Sequence, residues 1–174
     1  MRWHRFCTVR SAMVVAVLIS LSLVACGGGD KSETVEITGT TGECLNVDGP
    51  WTGEPVGGAP GSVQNGFTQT CGDVQMSDER ASGVSEVLVD CAFTQDGEAT
   101  NGVCSGTITL SNDDGTWEGT TEGTTTWTTS DPTHRHELDA TYLGTGDYDG
   151  LRLVTHAEGT GTPWMLTGRI EPVD

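Results

Sequence analysis

Three histidines are the residues of this sequence best suited to binding a metal ion. His134 and His136 are two residues apart, so on a β-strand both side chains point to one face, about 6.5–7 Å apart. A hairpin after this strand would place His156 opposite His136. Because imidazoles are common ligands of Zn²⁺ and Cu²⁺, these residues form a candidate metal site, with Glu137 or Asp139 nearby. The alternative is a solvated strand end.

Other kinds of chemistry find less support. The many acids make carboxylate pairs for glycoside hydrolysis expected by chance, and no G-x-S-x-G nucleophile motif is present. The glycine-rich segment 57–61 lacks the Lys and Ser or Thr of a phosphate-binding loop. Segments 112–115 and 147–150 are rich in oxygen ligands but do not match the spacing of an EF-hand, so we interpret both as turns. We therefore assign no catalytic residue and no cofactor.

The charge of the chain limits its partners. Lys and Arg number 8 against 25 Asp and Glu, for a net charge of −17, and the first 25 residues contain no acid. A strongly acidic domain repels phosphate backbones and anionic lipid surfaces. We therefore exclude nucleic acid as a partner, along with membrane binding through surface charge.

The N-terminus has the pattern of an export signal. A basic start is followed by the apolar run 12–25, which as a helix would span about 21 Å, less than the ~30 Å hydrocarbon core. This length is typical of a signal peptide. The run ends in Leu23-Val24-Ala25-Cys26, which resembles the lipobox of bacterial lipoproteins. The resemblance implies cleavage after Ala25, lipidation of Cys26 and a location on the extracytoplasmic side of the cell membrane.

The domain boundaries follow from this interpretation. Residues 1–25 form the signal peptide, residues 26–42 the lipidated cysteine and a flexible tether that begins with glycines, and residues 43–174 a single domain. We therefore predict that the domain is attached to the membrane only through the lipid on Cys26. We expect a monomer or small oligomer.

Four cysteines remain for the domain, and an even number in an exported chain predicts two disulfides. We favour Cys91–Cys104, because a hairpin closing between them puts the two near cross-strand positions, and Cys44–Cys71 by difference. The rival pairing is Cys71–Cys91 across a turn near residues 80–82. The cysteines lack the C-x₂-C spacing that would favour a zinc site.

The rest of the chain has the pattern of an all-β protein. Thr, Val and aromatic residues alternate with polar ones, and Gly, Asn and Asp interrupt the pattern at intervals typical of short antiparallel strands. We predict strands at 63–70, 72–77, 84–94, 102–111, 115–121, 123–130, 137–143, 150–157 and 163–170, with residues 45–62 irregular. Because ring closure removes exposed edges, we expect an antiparallel up-and-down β-barrel of about eight strands.

Alternation also predicts which side chains face inward. Ile108 and Leu110 share one face, as do Leu151 and Leu153. The same holds for residues 138, 140 and 142, and for residues 164, 166, 168 and 170. Trp117 and Trp127 are expected on adjacent strands. With Trp164, these aromatic residues either fill the barrel, or line a ligand cavity or a platform that stacks on a sugar.

Three segments of the second half carry a family resemblance: Gly115-Thr116-Trp117-Glu118-Gly119, residues 143–151 with the sequence LGTGDYDGL, and residues 166–170 with the sequence LTGRI. They resemble a group of uncharacterised secreted bacterial β-barrel proteins and, more distantly, the barrel of allene oxide cyclases and dirigent proteins. The resemblance covers roughly residues 74–172. Its motifs are turn glycines and packing aromatics, so it implies a fold and no activity.

These observations favour a lipid-anchored extracytoplasmic protein that acts as a non-catalytic binding module for a small ligand or a surface partner. One alternative is an enzyme that uses the barrel cavity for a cyclisation, isomerisation or lyase reaction. Another is a structural protein of the cell envelope. An enzyme would need a hollow interior with a few converging polar groups, whereas a filled barrel would leave binding to the loops.

Overall fold

The computed structural model describes residues 33–47, 49–52 and 61–173. The predicted signal peptide, Cys26 and residues 53–60 lie outside these described residues. The strands are β1 (Val35–Thr40), β2 (Cys44–Val47), β3 (Trp51–Thr52), β4 (Val63–Met76), β5 (Gly83–Asp96), β6 (Ala99–Ser111), β7 (Gly115–Thr128), β8 (Arg135–Gly146), β9 (Leu151–Thr160) and β10 (Met165–Pro172), with one 3₁₀ turn at Glu79–Ala81. None of the described residues belongs to a helix of the length and apolarity that a membrane span requires.

The strands form one antiparallel sheet that closes into a ring. Each strand from β4 to β9 pairs with the next one along the chain, β10 pairs with β1, and β1 pairs with β4 through Gly39–Met76 and Thr40–Gln75. The short strands β2 and β3 pair with earlier parts of β4, at residues 68–71 and 63–64. The prediction of an all-β antiparallel fold is confirmed.

Several predicted strand boundaries are wrong. The predicted pair 63–70 and 72–77 is the single strand β4, which continues through irregularities in its pairing with β5. The predicted pair 115–121 and 123–130 is the single strand β7, so Trp117 and Trp127 lie on one strand and not on neighbouring ones. The predicted second segments start at Gly72 and Gly123, and both glycines lie inside the longer strands.

The interior consists of rows of side chains at matching register. One such row contains Ile108, Gly119, Tyr142, Leu153 and Ile170, each paired across the sheet with the next. All of these except the glycine are buried. The predicted inward positions on β6 and β8 to β10 therefore face the core, because side chains alternate between the two faces of a strand.

One end of the ring is closed by stacked aromatic rings. Trp117 is fully buried and stacks on Tyr148, with ring centroids 4.9 Å apart. The Trp117 indole N–H donates to the Arg80 carbonyl at 2.7 Å, and the Tyr148 hydroxyl donates to the Asn112 amide oxygen at 2.6 Å. The Asn112 side chain in turn donates to the Ser82 carbonyl at 2.9 Å. These bonds join the 3₁₀ turn to the aromatic pair and seal this end.

Both predicted disulfides are confirmed. Cys44 pairs with Cys71 and Cys91 with Cys104, with Cα–Cα distances of 4.0 and 4.1 Å. In each pair the two cysteines are direct cross-strand partners, on β2 and β4 and on β5 and β6. The rival pairing Cys71–Cys91 is wrong, because these two residues lie at different levels of the β4–β5 pairing.

The predicted start of the domain needs correction. We expected residues 26–42 to form a tether, but β1 pairs with β10 along its whole length and helps to close the ring. Ile37 is only 2% exposed, within the core. The polar Thr and Glu residues around Ile37 and Val35 face outward and mask the short apolar signal, so the folded domain includes residues from Val35 onward.

The two ends of the described chain lie at the same end of the ring. Val35 pairs with Ile170, and the Val173 N–H donates to the Gly150 carbonyl at 2.9 Å, next to the start of β9. This is the end that Trp117 and Tyr148 close. The opposite end is formed by the β5–β6 turn, the β7–β8 connection and the β9–β10 connection.

Candidate functional site

A cavity of about 450 Å³ lies inside the ring at the end opposite Trp117. Its walls include the start of β4, the end of β5 and the segment around residues 134–138. The lining residues are Asn46, Gln64, Phe67, Gln69, Val87, Val89, Cys91, Phe93, Cys104, Thr124, Thr125, Trp127, His134, His136, Leu138 and Trp164. Ligand pockets commonly have volumes of 300–1,000 Å³, so this cavity has the size of a small-molecule site.

One row of cross-strand partners forms the wall of the cavity that lies farthest from Trp117. Phe93 pairs with Gly102, Gly102 with Thr125, Thr125 with His136, and His136 with Gly159. The two glycines make room for the rings: a Cβ at Gly102 would lie 2.6 Å from Phe93 Cε1, and a Cβ at Gly159 would lie 2.9 Å from Cδ1 of Trp164. The aromatic side chains therefore lie over positions that carry no side chain.

The rings of this wall contact one another in series. Phe93 meets Trp127 edge to face with ring centroids 5.6 Å apart, and Trp127 stacks on His134 at 4.4 Å. The His134 and His136 rings are 6.0 Å apart, and His136 stacks on Trp164 at 5.1 Å. We call these five residues the aromatic wall. It offers polarisable ring surface, which favours contact with rings and apolar groups.

Uncharged polar side chains face the same cavity. Gln64 and Gln69 are buried, and the Gln69 amide donates to the Asn46 side-chain oxygen at 2.9 Å. Thr125 is 8% exposed, and its hydroxyl has no hydrogen-bond partner within the described part of the chain. Buried polar groups are nearly always hydrogen-bonded, so the Thr125 hydroxyl stands out.

Formal charge is absent from the described lining, which contains no Asp, Glu, Lys or Arg. Burial lowers the pKa of His136 below its ordinary value of 6.5, and the positive charge of a protonated His134 lowers it further. His136 is therefore neutral at pH 7. The site as described is an uncharged pocket within an acidic protein.

The structure brings together two of the three histidines predicted to bind a metal. His134 and His136 both line the cavity, but His156 faces the outside of the ring, where its Nδ1 lies 2.8 Å from the Asp139 carboxylate. The expected pairing is wrong because His136 is opposite Gly159, and His156 is opposite Asp139. Within residues 33–47, 49–52 and 61–173, no three metal-ligating side chains come together.

The neighbouring acid does not complete the site either. Glu137 points away from the cavity and its carboxylate lies 3.3 Å from the Arg135 guanidinium. Its position follows from alternation, since His136 and Leu138 face inward. His134 and His136 thus contribute to the cavity as neighbours of the two tryptophans.

The tryptophans divide between the two roles that the sequence left open. Trp117 fills the closed end, whereas Trp127 and Trp164 line the cavity. Sequence reasoning missed Thr125, Phe93, Gln64 and Gln69. Thr125 was within reach of alternation, because it lies two residues before Trp127 on the same strand. The glutamines gave no signal, since polar residues are expected to face solvent.

A second hollow of about 50 Å³ continues below the cavity and shares Gln69, Val87, Leu138 and Trp164 with it. Tyr142 faces this hollow; burial raises the pKa of its phenol to about 12, against the opposing effect of a hydrogen bond with Thr155. The phenol is therefore protonated at neutral pH. The cavity and the hollow can therefore bind a molecule through complementary shape, contact with aromatic rings and hydrogen bonds to uncharged groups.

No protein-family model, curated protein or solved structure matches this chain.

Proposed function

We propose that this protein is a lipid-anchored, extracytoplasmic binding protein that holds a small molecule inside an up-and-down β-barrel of about eight strands. The observation that carries the proposal is the cavity of about 450 Å³ inside the ring. An apolar pocket with a few polar groups is the usual form of a small-molecule site, and a closed antiparallel ring is a common support for one.

We favour binding over catalysis because of the residues in the described lining. Cyclisation, isomerisation and lyase reactions need an acid, a base or a charged group that acts on the substrate. The described lining offers amides, the threonines Thr124 and Thr125, and the histidines His134 and His136. Histidine is therefore its one type of acid–base group, and the described lining holds no carboxylate to orient a histidine or to share a proton with it. The distant resemblance to allene oxide cyclase and dirigent barrels thus supports a fold more than a reaction.

The lipid anchor rests on the segment Leu23-Val24-Ala25-Cys26 and on the basic and apolar residues before it. The position of Cys26 relative to the cavity also determines which end of the ring would face the membrane. β1 begins at the closed end of the ring. Val35 is nine positions after Cys26 in the chain, a reach of at most about 32 Å. An anchor at Cys26 would hold the closed end toward the membrane, so the cavity would take its ligand from the aqueous side.

Mass measurement tests both halves of the proposal. The full chain is purified from the envelope of a bacterium that exports it, and native and denatured masses are compared. We expect the native wild-type protein to be heavier than the denatured protein by the mass of a bound ligand. The variant Val89→Trp enlarges a buried side chain that lines the cavity, so we expect this additional mass to be missing from it. We also expect a covalent lipid mass that Cys26→Ala abolishes.

Each half has its own contrary outcome. A native mass equal to the denatured mass, in both the wild type and Val89→Trp, would argue against a bound small molecule. A wild-type chain that carries no lipid, or a Cys26→Ala variant that matures normally, would contradict the anchor. The enlarged side chain at Val89 has a matched control in Leu88→Trp, which faces outward on the same strand.

A further inference from the structure

We infer that the ligand of the cavity is an uncharged, ring-bearing molecule that places one oxygen or nitrogen atom against the Thr125 hydroxyl. This inference rests on the proposed binding function and adds the chemical class of the ligand and its orientation. It depends on the burial of Thr125, the charge of the lining and the aromatic wall.

Thr125 lies at the centre of the aromatic wall. Its cross-strand partner on β6 is Gly102, which has no side chain, and its partner on β8 is His136. The side chain lines the cavity and is 8% exposed, yet its hydroxyl lacks a partner among the described residues. A hydroxyl that is buried without a hydrogen bond costs free energy, and the Thr125 oxygen itself is shielded from solvent. Rotation about the Cα–Cβ bond exchanges the positions of the hydroxyl and the methyl group, so a bound ligand would draw the hydroxyl toward the cavity and supply the missing bond.

A second threonine on the same strand shows the usual solution. Thr121 is 4% exposed, and its hydroxyl donates to the Asp139 carbonyl at 3.0 Å. Thr121 and Thr125 both face inward on β7, but only Thr125 lines the larger cavity. The difference between these two hydroxyls is therefore a property of the cavity and not of threonine in this strand.

The lining argues against a charged ligand. A charge that loses its water needs an opposite charge or several hydrogen bonds, and the described lining has no Asp, Glu, Lys or Arg. The net charge of −17 also repels an anion that approaches the protein. The rings of Trp127, His136 and Trp164 instead favour the ring system of a neutral molecule.

Stability gives a first test that needs no ligand. Thr125→Val removes the hydroxyl and keeps the shape of the side chain, so we expect the melting temperature to rise. Thr121→Val removes a hydroxyl that is hydrogen-bonded, so we expect the melting temperature to fall. Equal destabilisation by both variants would show that the Thr125 hydroxyl is already satisfied, and would overturn the orientation that we infer.

Binding of four matched probes gives the second test. Naphthalene, 2-naphthol, 2-naphthoate and 2-naphthylmethylammonium share a ring system and differ only in the group at position 2. They are titrated calorimetrically into the full chain in phospholipid nanodiscs, with empty discs as the blank. We expect 2-naphthol to bind best, and Thr125→Val to weaken it about five- to tenfold, the usual effect of one hydrogen bond, while naphthalene binds equally to both proteins. Thr121→Val is the control and leaves the affinity for 2-naphthol unchanged.

The outcomes separate this inference from the function on which it rests. Tightest binding of the carboxylate or the ammonium probe would overturn the uncharged class and leave small-molecule binding intact. A preference for 2-naphthol that persists in Thr125→Val would overturn the role of Thr125 alone. Failure of all four probes to bind would count against the proposed function itself.

Discussion

His136 stacks on Trp164, with ring centroids 5.1 Å apart and planes inclined by 17°. Gly159 is the cross-strand partner of His136 and lies against Trp164. A Cβ at Gly159 would lie 2.9 Å from Trp164 Cδ1 and 3.2 Å from its Cα. One glycine thus allows a histidine on β8 and a tryptophan in the β9–β10 connection to form a continuous wall.

This contact predicts the effect of adding one methyl group. Gly159→Ala should displace the Trp164 ring, lower the free energy of unfolding by about 1–3 kcal/mol and weaken ligand binding in the cavity. Gly72→Ala is the matched control, because a Cβ there meets nothing within 4 Å. Denaturant unfolding and 2-naphthol titration measure both effects. Equal behaviour of the two variants would show that Trp164 does not depend on the glycine.

The two disulfides should differ in their effect on binding. Replacing either pair by alanines should cost about 3 kcal/mol of stability, because the loops of 27 and 13 residues gain similar entropy when opened. Cys91 and Cys104 both line the cavity, whereas Cys44 and Cys71 do not. We therefore expect only the Cys91→Ala/Cys104→Ala double variant to change the affinity for 2-naphthol.

Titration and urea unfolding of both double variants test this difference. A similar loss of affinity in the two would mean that the disulfides act only through overall stability. The control for complete disulfide formation is the mass of the wild type before and after reduction. Each disulfide takes up two hydrogens when it is reduced, so two disulfides add the mass of four hydrogens.

Burial of His136 predicts a dependence of stability on pH. Its pKa is lowered in the folded state by burial and by His134, whereas an unfolded histidine keeps a pKa near 6.5. Above that value His136 is neutral in both states and contributes nothing. As the pH falls below it, the unfolded state binds the proton first, so the free energy of unfolding falls until the pH passes the lower, folded pKa.

His136→Phe keeps a ring beside Trp164 and removes this titration. Urea midpoints measured between pH 7.5 and 5 should therefore decline more for the wild type than for the variant. Parallel curves would contradict the burial of a neutral His136. None of the described cavity-lining residues on the neighbouring strands is an Asp, Glu, Lys or Arg.

Alternation and turn signals were enough to predict much of the fold. The inward positions Ile108, Leu110, Leu151 and Leu153 followed from period-two patterning, and the turn at residues 112–115 from its Asn and Gly. There the Asn112 carboxamide oxygen accepts from the Gly115 N–H at 3.2 Å. Cross-strand spacing led to Cys91–Cys104. These features depend on neighbours along the chain, so a single sequence contains them.

The parts that failed depend on partners far away in the sequence. β1 was missed because its partner β10 lies about 130 residues further along the chain and its own apolar signal is only Val35 and Ile37. His156 was assigned to the wrong side because the β8–β9 turn begins at Asp147, so the register shifts and the face changes. Thr125 was missed because a threonine on a strand gives no sign of whether its hydroxyl finds a partner.

The central claim is that a small molecule enters the ring beside the aromatic wall, and methyl NMR tests it most directly. On addition of 2-naphthol to the full chain, we expect the methyl signals of the lining residues Val87, Val89 and Leu138 to shift. The exposed residues Val84, Leu88 and Val103 lie outside the ring, and their signals should remain in place. Shifts confined to the exposed residues, or no shifts at a concentration that saturates the calorimetric signal, would contradict the account.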